Sequence, residues 1–135
     1  LFCLSLWGCE TVVPLDDATT NLNLWNEKKI ENYSFSLKRI CFCPTEYVGP
    51  HQIVVKNGKI STVNGAPYNK AERYGVLYTI PELLQVIKEH IDRKPAKQTL
   101  NFNPTYGYPT SVFFDFSEMM ADEEIGYVIT DFKIN

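Results

Sequence analysis

The pattern of apolar and polar residues along this chain predicts two helices and six strands. The clearest strand begins at Tyr33, where apolar residues alternate with serines. Because successive side chains of a strand point to opposite faces, Tyr33, Phe35 and Leu37 share one face, which we expect to be buried. If the strand continues without a bulge, the same face carries Cys41 and Cys43 to the inner or rim side of the sheet.

A β-hairpin is predicted after this strand. Asn57-Gly58 supplies two residues that tolerate positive φ between two apolar runs, which is the strongest short-range hairpin signal. A two-residue turn would place Val55 opposite Ile60 on the core face. It would also place Lys56 opposite Lys59 on the wet face, a mildly unfavourable pair of like charges.

Two segments repeat apolar residues at helical spacing. The first helix is expected to begin at a cap formed by Thr19 or Thr20 and to bury Trp25 in the core. The second begins with Thr79-Ile80-Pro81-Glu82, which has the form of a capping box. His90 falls in the last turn of the second helix, where the helix dipole favours a positive charge.

Three more strands are expected after the second helix, around residues 100–102, 112–116 and 126–132. The order helix, three strands, helix, three strands predicts an α+β domain built on a single antiparallel sheet of about six strands. Both helices would pack on one face of that sheet. The length of 135 residues suits one globular domain, which we place at residues 19–135.

The beginning of the chain has the pattern of a bacterial lipoprotein signal peptide. Residues 1–9 are mostly apolar and carry no charge. Leu6-Trp7-Gly8-Cys9 resembles a lipobox, in which the chain is cut between a small residue and the cysteine that takes the lipid. We therefore expect lipidation at Cys9 and a tether over residues 10–18. The domain would be exported and held at a membrane of the cell envelope. Glu10 after the cysteine would favour the outer membrane in a Gram-negative host.

Cys41 and Cys43 would remain as a pair in the mature chain. In an oxidising envelope such a pair can form a disulfide, exchange disulfides or bind a soft metal. Alpha-carbons two residues apart in a regular strand lie about 6.6 Å apart, so a disulfide requires a bulge or turn at Phe42. One alternative to a structural disulfide is a redox pair, and another is a metal site that adds His51 as the third ligand.

The net charge and the motifs of the chain limit the classes of function that it could have. The formal net charge is −3, so the composition offers no basic surface for nucleic acid. No pattern of nucleophile, base and orienting residue is visible, so the sequence favours a binding or accessory module over an enzyme, and it implies no cofactor. Its partner would be an envelope protein or another envelope component.

Two further groups of residues are candidates for a site. The acidic run from Asp115 to Glu124 lacks the spacing of a calcium loop, and we expect it to be a solvated connection. Tyr106 and Tyr108 flank a glycine in a rigid turn. They either form a contact surface or pack on the end of the sheet.

Several short motifs appear together in one order. The specific ones are Cys41-Phe42-Cys43-Pro44 and Gly107-Tyr108-Pro109-Thr110, and the weaker ones are Asn57-Gly58-Lys59, the capping box and Asp122-Glu123-Glu124. With these motifs the chain resembles a family of small bacterial secreted and lipid-anchored domains of unknown function, across nearly all of the mature chain. The resemblance implies the fold and the envelope location, and it implies no activity.

Overall fold

The structure is a computed structural model that describes residues 15–70, 74–117, 119 and 123–135. Within these residues the predicted α+β class is confirmed, with three helices and seven strands. The helices are α1 (Asp17–Lys28), α2 (Thr45–Val48) and α3 (Ile80–Asp92). The strands are β1 (Tyr33–Cys41), β2 (His51–Lys56), β3 (Lys59–Val63), β4 (Ala66–Pro67), β5 (Lys97–Phe102), β6 (Pro109–Asp115) and β7 (Glu124–Ile134). The predicted lipidation site, Cys9, lies outside the described residues.

All seven strands belong to one antiparallel sheet, in the order β4-β3-β2-β1-β7-β6-β5. The prediction of six strands was one short, because β4 adds a two-residue edge beside β3. The prediction of two helices omitted α2, a single turn between β1 and β2. The predicted hairpin is confirmed, since Val55 lies opposite Ile60 and Lys56 opposite Lys59.

The central strand β1 has the predicted alternation. Tyr33, Phe35 and Leu37 are fully buried, whereas the intervening serines are partly exposed. Helix α1 covers this face through Trp25, whose ring lies edge-on to Tyr33 with the centroids 4.9 Å apart. Helix α3 reaches the same residue, because the Ile80 N–H donates a hydrogen bond to the Tyr33 hydroxyl at 3.0 Å. Both helices therefore pack against the face that β1 buries.

Helix α1 begins earlier than predicted. Asp16 is its N-cap, and the Asp16 carboxylate accepts a hydrogen bond from the Thr19 N–H at 2.7 Å. Aspartate caps a helix as well as serine or threonine does, and its position three residues before Thr19 satisfies a first-turn donor. The prediction of Thr19 or Thr20 as the cap was wrong, and the helix starts within the segment predicted as a tether.

Helix α3 begins at the predicted capping box. The Glu82 carboxylate accepts from the Thr79 N–H at 2.8 Å, and Thr79 Oγ1 accepts from the Glu82 N–H at 3.4 Å. The apolar stripe of Leu83, Leu84 and Ile87 is fully buried. The helix is thus capped locally and supported by the core along its length.

A β-bulge in β7 changes which side chain faces the helices. The register of β7 against β1 shifts between Ser34 and Ser36, and Asp131 adopts a φ of 55°. The extra residue reverses the alternation, so Phe132 rather than Asp131 packs inward, with its ring 5.8 Å from that of Trp25. Without the bulge, a carboxylate would face the apolar core.

Candidate functional site

The two cysteines lie where β1 ends. The chain bends at Phe42 and brings the α-carbons of Cys41 and Cys43 to 5.3 Å, which is within the range of a disulfide. The sulfurs are at bonding distance, and the structure joins them. Phe42, between them, is 82% exposed. The bend that the sequence analysis required is therefore present.

A cleft of about 240 Å³ lies between Cys41 and the C-terminal end of α3. Its polar lining includes His90 in the last turn of α3, Arg93 at the C-cap, Glu123 just before β7 and Glu124 at the first position of β7. Because these side chains carry charges of both signs, the cleft does not select strongly for an anion or a cation.

His90 packs as an aromatic residue beside this cleft. Its ring centroid lies 5.2 Å from that of Phe114 and 5.6 Å from that of Phe116. Both ring nitrogens are buried, and neither has a hydrogen-bond partner within the described residues. Burial, aided by the Arg93 cation, lowers the pKa of His90. The structure therefore does not support the cation that the helix dipole would favour at this position.

The structure does not place His51 beside Cys41 and Cys43, as the predicted metal site would require. It lies opposite Leu37, four residues before Cys41 along β1, and it is 2% exposed. Its ring nitrogens lie 3.4 Å from the Tyr47 carbonyl oxygen and 3.4 Å from the Asn64 amide nitrogen. Burial, with the nearby Arg39 cation, lowers the pKa of His51. Among the residues that the structure describes, no group of three His, Cys, Asp or Glu side chains could hold a metal ion.

The acidic run is not uniformly solvated. Asp115 is buried at the end of β6, and its carboxylate accepts a hydrogen bond from the Ser117 N–H at 3.1 Å. Glu118 and Asp122 lie outside the described residues. The expectation of a solvated connection is therefore wrong for Asp115, because that side chain closes a local turn.

Tyr106 and Tyr108 pack on the end of the sheet, the second of the two interpretations. Their rings lie 5.5 and 4.4 Å from that of Phe132, and both residues are half-buried. Gly107, between them, has a φ of 90°, and a Cβ there would overlap the carbonyl oxygen of Asn21 in α1. The turn therefore needs glycine both for its backbone conformation and for its close approach to the helix.

A larger groove, of about 550 Å³, lies between β3 and the N-terminal half of α3. The size is typical of small-ligand sites. Its apolar and aromatic lining consists of Ile60, Tyr68, Val76, Leu77, Tyr78 and Val86, and its polar side chains are Lys59, Lys70, Thr79, Glu82 and Gln85. Sequence reasoning missed this groove because its walls come from three separate segments, one of which has no periodic pattern.

Arg39 positions the loop that forms one wall of the groove. Its guanidinium donates hydrogen bonds to the carbonyl oxygens of Tyr74, at 3.3 Å, and of Val76. The Leu77 N–H donates to the Tyr68 hydroxyl at 3.1 Å, which holds the same loop from the other side. A signal for this role is present in the sequence, because Arg39 lies two residues after Leu37 and so falls on the face that β1 is expected to bury.

Comparison with known families gives a match over most of the chain. A sequence model described as a family of unknown function (DUF6174) matches residues 17–134. No curated protein and no solved structure matches the chain. Within the described residues, no helix is long and apolar enough to cross a membrane.

Proposed function

The chain belongs to the DUF6174 family of unknown function, and we propose that it is a binding domain of the bacterial cell envelope whose ligand site is the groove between β3 and α3. The groove carries this proposal, because its volume and its mostly apolar lining with a few polar side chains are those of small-molecule sites. The domain would bind its ligand without transforming it.

The walls of the groove are held before any ligand binds. Strand β3 is paired on both sides, with β2 and β4. The Tyr68 N–H donates to the Ser61 carbonyl oxygen at 3.2 Å, and Arg39 anchors the loop at Val76. A site that is already ordered loses less conformational entropy on binding, so more of its contact energy appears as affinity.

Two observations support an envelope location. Cys41 and Cys43 lie at disulfide distance, and disulfides persist in oxidising compartments outside the cytosol. The run that ends in Cys9 fits a lipobox. A lipid on Cys9 would hold the domain at the membrane through residues 10–18, which span at most about 30 Å when extended.

Metabolic labelling tests the anchor. The full precursor is expressed in bacteria with radiolabelled fatty acid, and we expect label in the wild-type chain and none in Cys9→Ala. Cys3→Ala is the matched control, because Cys3 lies in the segment predicted to be removed, and it should not change the labelling of Cys9. Label retained in Cys9→Ala would contradict the anchor.

Probe binding tests the groove. The purified full chain, carrying Cys9→Ala so that it bears no lipid of its own, is titrated with the neutral fluorophore N-phenylnaphthylamine. Val76→Gln, in the groove, should weaken binding. Ile134→Gln should not, although the two residues have similar exposures of 42% and 46%. Absence of saturable binding to the chain, or equal loss in both variants, would refute the groove as the site.

Thiol–disulfide exchange is a second candidate, favoured by the exposed Phe42 within the Cys41–Cys43 ring and by the cleft beside Cys41. A dithiol protein would pass two electrons and two protons to the disulfide, becoming oxidised while Cys41 and Cys43 become thiols. A mass shift assay with an alkylating reagent, after incubation with a reduced dithiol protein, tests this. A pair that stays fully oxidised at equilibrium with strongly reducing dithiols would remove the candidate.

A further inference from the structure

We propose that the ligand of the groove is an anionic single-chain amphiphile, such as a long-chain carboxylate. Its chain would lie on the apolar floor and its charge at Lys59 and Lys70. This inference rests on the proposed function, because it names the ligand class of the same groove.

The floor of the groove fits an apolar chain. Leu77 is 3% exposed and belongs to the core, and Ile60, Tyr78 and Val86 are half-buried against it. Val76 leaves 42% of its surface in water. Each methylene of a ligand that lies on these side chains leaves water together with the protein surface that it covers, which favours binding.

The lysines supply positive charge that no carboxylate pairs with in the part of the chain that the structure describes. Lys59 and Lys70 line the groove and are exposed, and neither forms a salt bridge within the described residues. Lys56 lies directly opposite Lys59 in the hairpin, and like charges so placed repel each other. An anion bound beside Lys59 would relieve that repulsion.

Among the described residues that line the groove, Glu82 is the acidic one, and its carboxylate is hydrogen-bonded within the cap of α3. Its Oε1 accepts hydrogen bonds from the Thr79 N–H at 2.8 Å and from the Thr79 hydroxyl at 3.0 Å. The carboxylate also lies at the positive end of the α3 dipole, which offsets part of its charge. The described lining thus carries two lysines against one carboxylate, which leaves it with a net positive charge.

The N-terminus of α3 is not the anion site. The Ile80 N–H donates to the Tyr33 hydroxyl, and the N–H groups of Glu82 and Leu83 donate to Thr79. The remaining residue of the first turn is a proline, which has no N–H. Because these donors are already used, selectivity for an anion has to come from the lysine side chains.

Competition against N-phenylnaphthylamine tests the ligand class with the same purified chain. Dodecanoate and dodecanol share a chain and differ in charge, and both are added below the concentration at which they aggregate. At about pH 7.5, where a carboxylate is ionised, and at low salt, dodecanoate should displace the probe at a concentration about 3- to 10-fold lower than dodecanol. Salt should reduce this preference, because it screens exposed charges.

A pair of matched variants assigns the preference to the lysines. Lys59→Gln/Lys70→Gln should make dodecanoate and dodecanol equally effective. Lys94→Gln/Lys97→Gln removes two exposed lysines that do not line the groove and should keep the preference. Equal displacement by the two compounds with the unaltered groove would overturn the anionic ligand while leaving the groove as a binding site. A preference that survives Lys59→Gln/Lys70→Gln would overturn the role of the lysines.

Discussion

At the N-terminal end of helix α3 the backbone donors of the first turn have acceptors, while the space beside them is open as a groove. At the C-terminal end the His90 ring packs against Phe114 and Phe116, beside the smaller cleft. There, both imidazole nitrogens are buried without a partner within the described residues. One end therefore has hydrogen-bonded donors beside an open groove, whereas the other has unpaired imidazole nitrogens among aromatic rings.

This difference separates the response of the domain to a ligand from its response to pH. A ligand can enter the groove without competing for the hydrogen bonds that start the helix, so binding need not destabilise α3. At the other end, protonation of His90 would place a charge among aromatic rings, which costs free energy in the folded state only. We therefore expect ligand response at the first end and pH response at the second.

Loss of a buried side chain in the middle of α3, which supports both ends of the helix, should have the largest effect on stability. Leu84 is fully buried at the middle of α3. Leu84→Ala should lower the free energy of unfolding by about 2–5 kcal/mol, from lost transfer energy plus a residual cavity. Glu89→Ala, on the exposed side of the same helix, should cost about 0.5 kcal/mol or less. Denaturation by urea measures both, and similar losses would contradict the burial of the stripe.

Removal of the Tyr33 hydroxyl should have the next largest effect, because this hydroxyl accepts a hydrogen bond from the N-terminal end of α3. Tyr33→Phe leaves the Ile80 N–H buried without its acceptor and should cost about 1–3 kcal/mol in the same measurement. Tyr106→Phe is the matched control, since the Tyr106 hydroxyl makes no hydrogen bond within the described residues. A Tyr33→Phe variant as stable as Tyr106→Phe would show that the Ile80 N–H finds another acceptor.

The cap itself should have a smaller effect. Thr79→Ala removes the hydroxyl that accepts from the Glu82 N–H and should cost about 0.5–2 kcal/mol. Thr79→Ser keeps the hydroxyl and should retain most of that stability. If both variants lost the same stability, the methyl group rather than the cap would be what Thr79 contributes.

His90, at the C-terminal end of α3, should make the stability of the domain depend on pH. The pKa of His90 is lowered in the folded state from the ordinary value of 6.5, so the unfolded chain takes up the proton first as pH falls. The stability that depends on neutral His90 is present above about pH 6.5 and is lost as pH falls below it. Urea denaturation at about pH 7.5 and pH 5 measures this loss.

His90→Phe should reduce the loss between the two pH values, since phenylalanine fills the same aromatic surroundings and takes no proton. Some loss should remain, because the pKa of His51 is also lowered in the folded state. Protonation of His51 therefore also reduces the stability of the fold as pH falls. A His90→Phe variant whose stability falls with pH as steeply as that of the parent chain would refute the role of His90.

Local patterns predicted most of the strands and the start of α3 correctly. The burial of Tyr33, Phe35 and Leu37 follows from the alternation of one strand, and the register of Val55 and Ile60 follows from a two-residue turn. These predictions hold because each depends on residues only a few positions apart. The cap of α1 was misplaced, because Asp16 and the two threonines are all good capping residues at neighbouring positions.

Other features could not be predicted, because they depend on residues far apart in the chain. Without the bulge, Asp131 would face the core and Phe132 would face away from it. The bulge is a feature of the pairing between β7 and β1, which are far apart in the chain. Arg39 reaches carbonyl groups about 35 residues further on. His51 and Cys41 are close in sequence, yet β1 separates them along its length.

The fold class, the central strand and the need for a bend at Phe42 if the cysteines are joined all follow from the order of residues. Side-chain alternation, capping and turn geometry are properties of short segments, so they can be derived from the order of residues. The groove and the surroundings of His90 depend instead on the packing of segments that are far apart in the chain. The groove exists because packing brings β3, the loop at Leu77 and α3 together, and the pKa of His90 is lowered because its ring is buried beside Phe114 of β6.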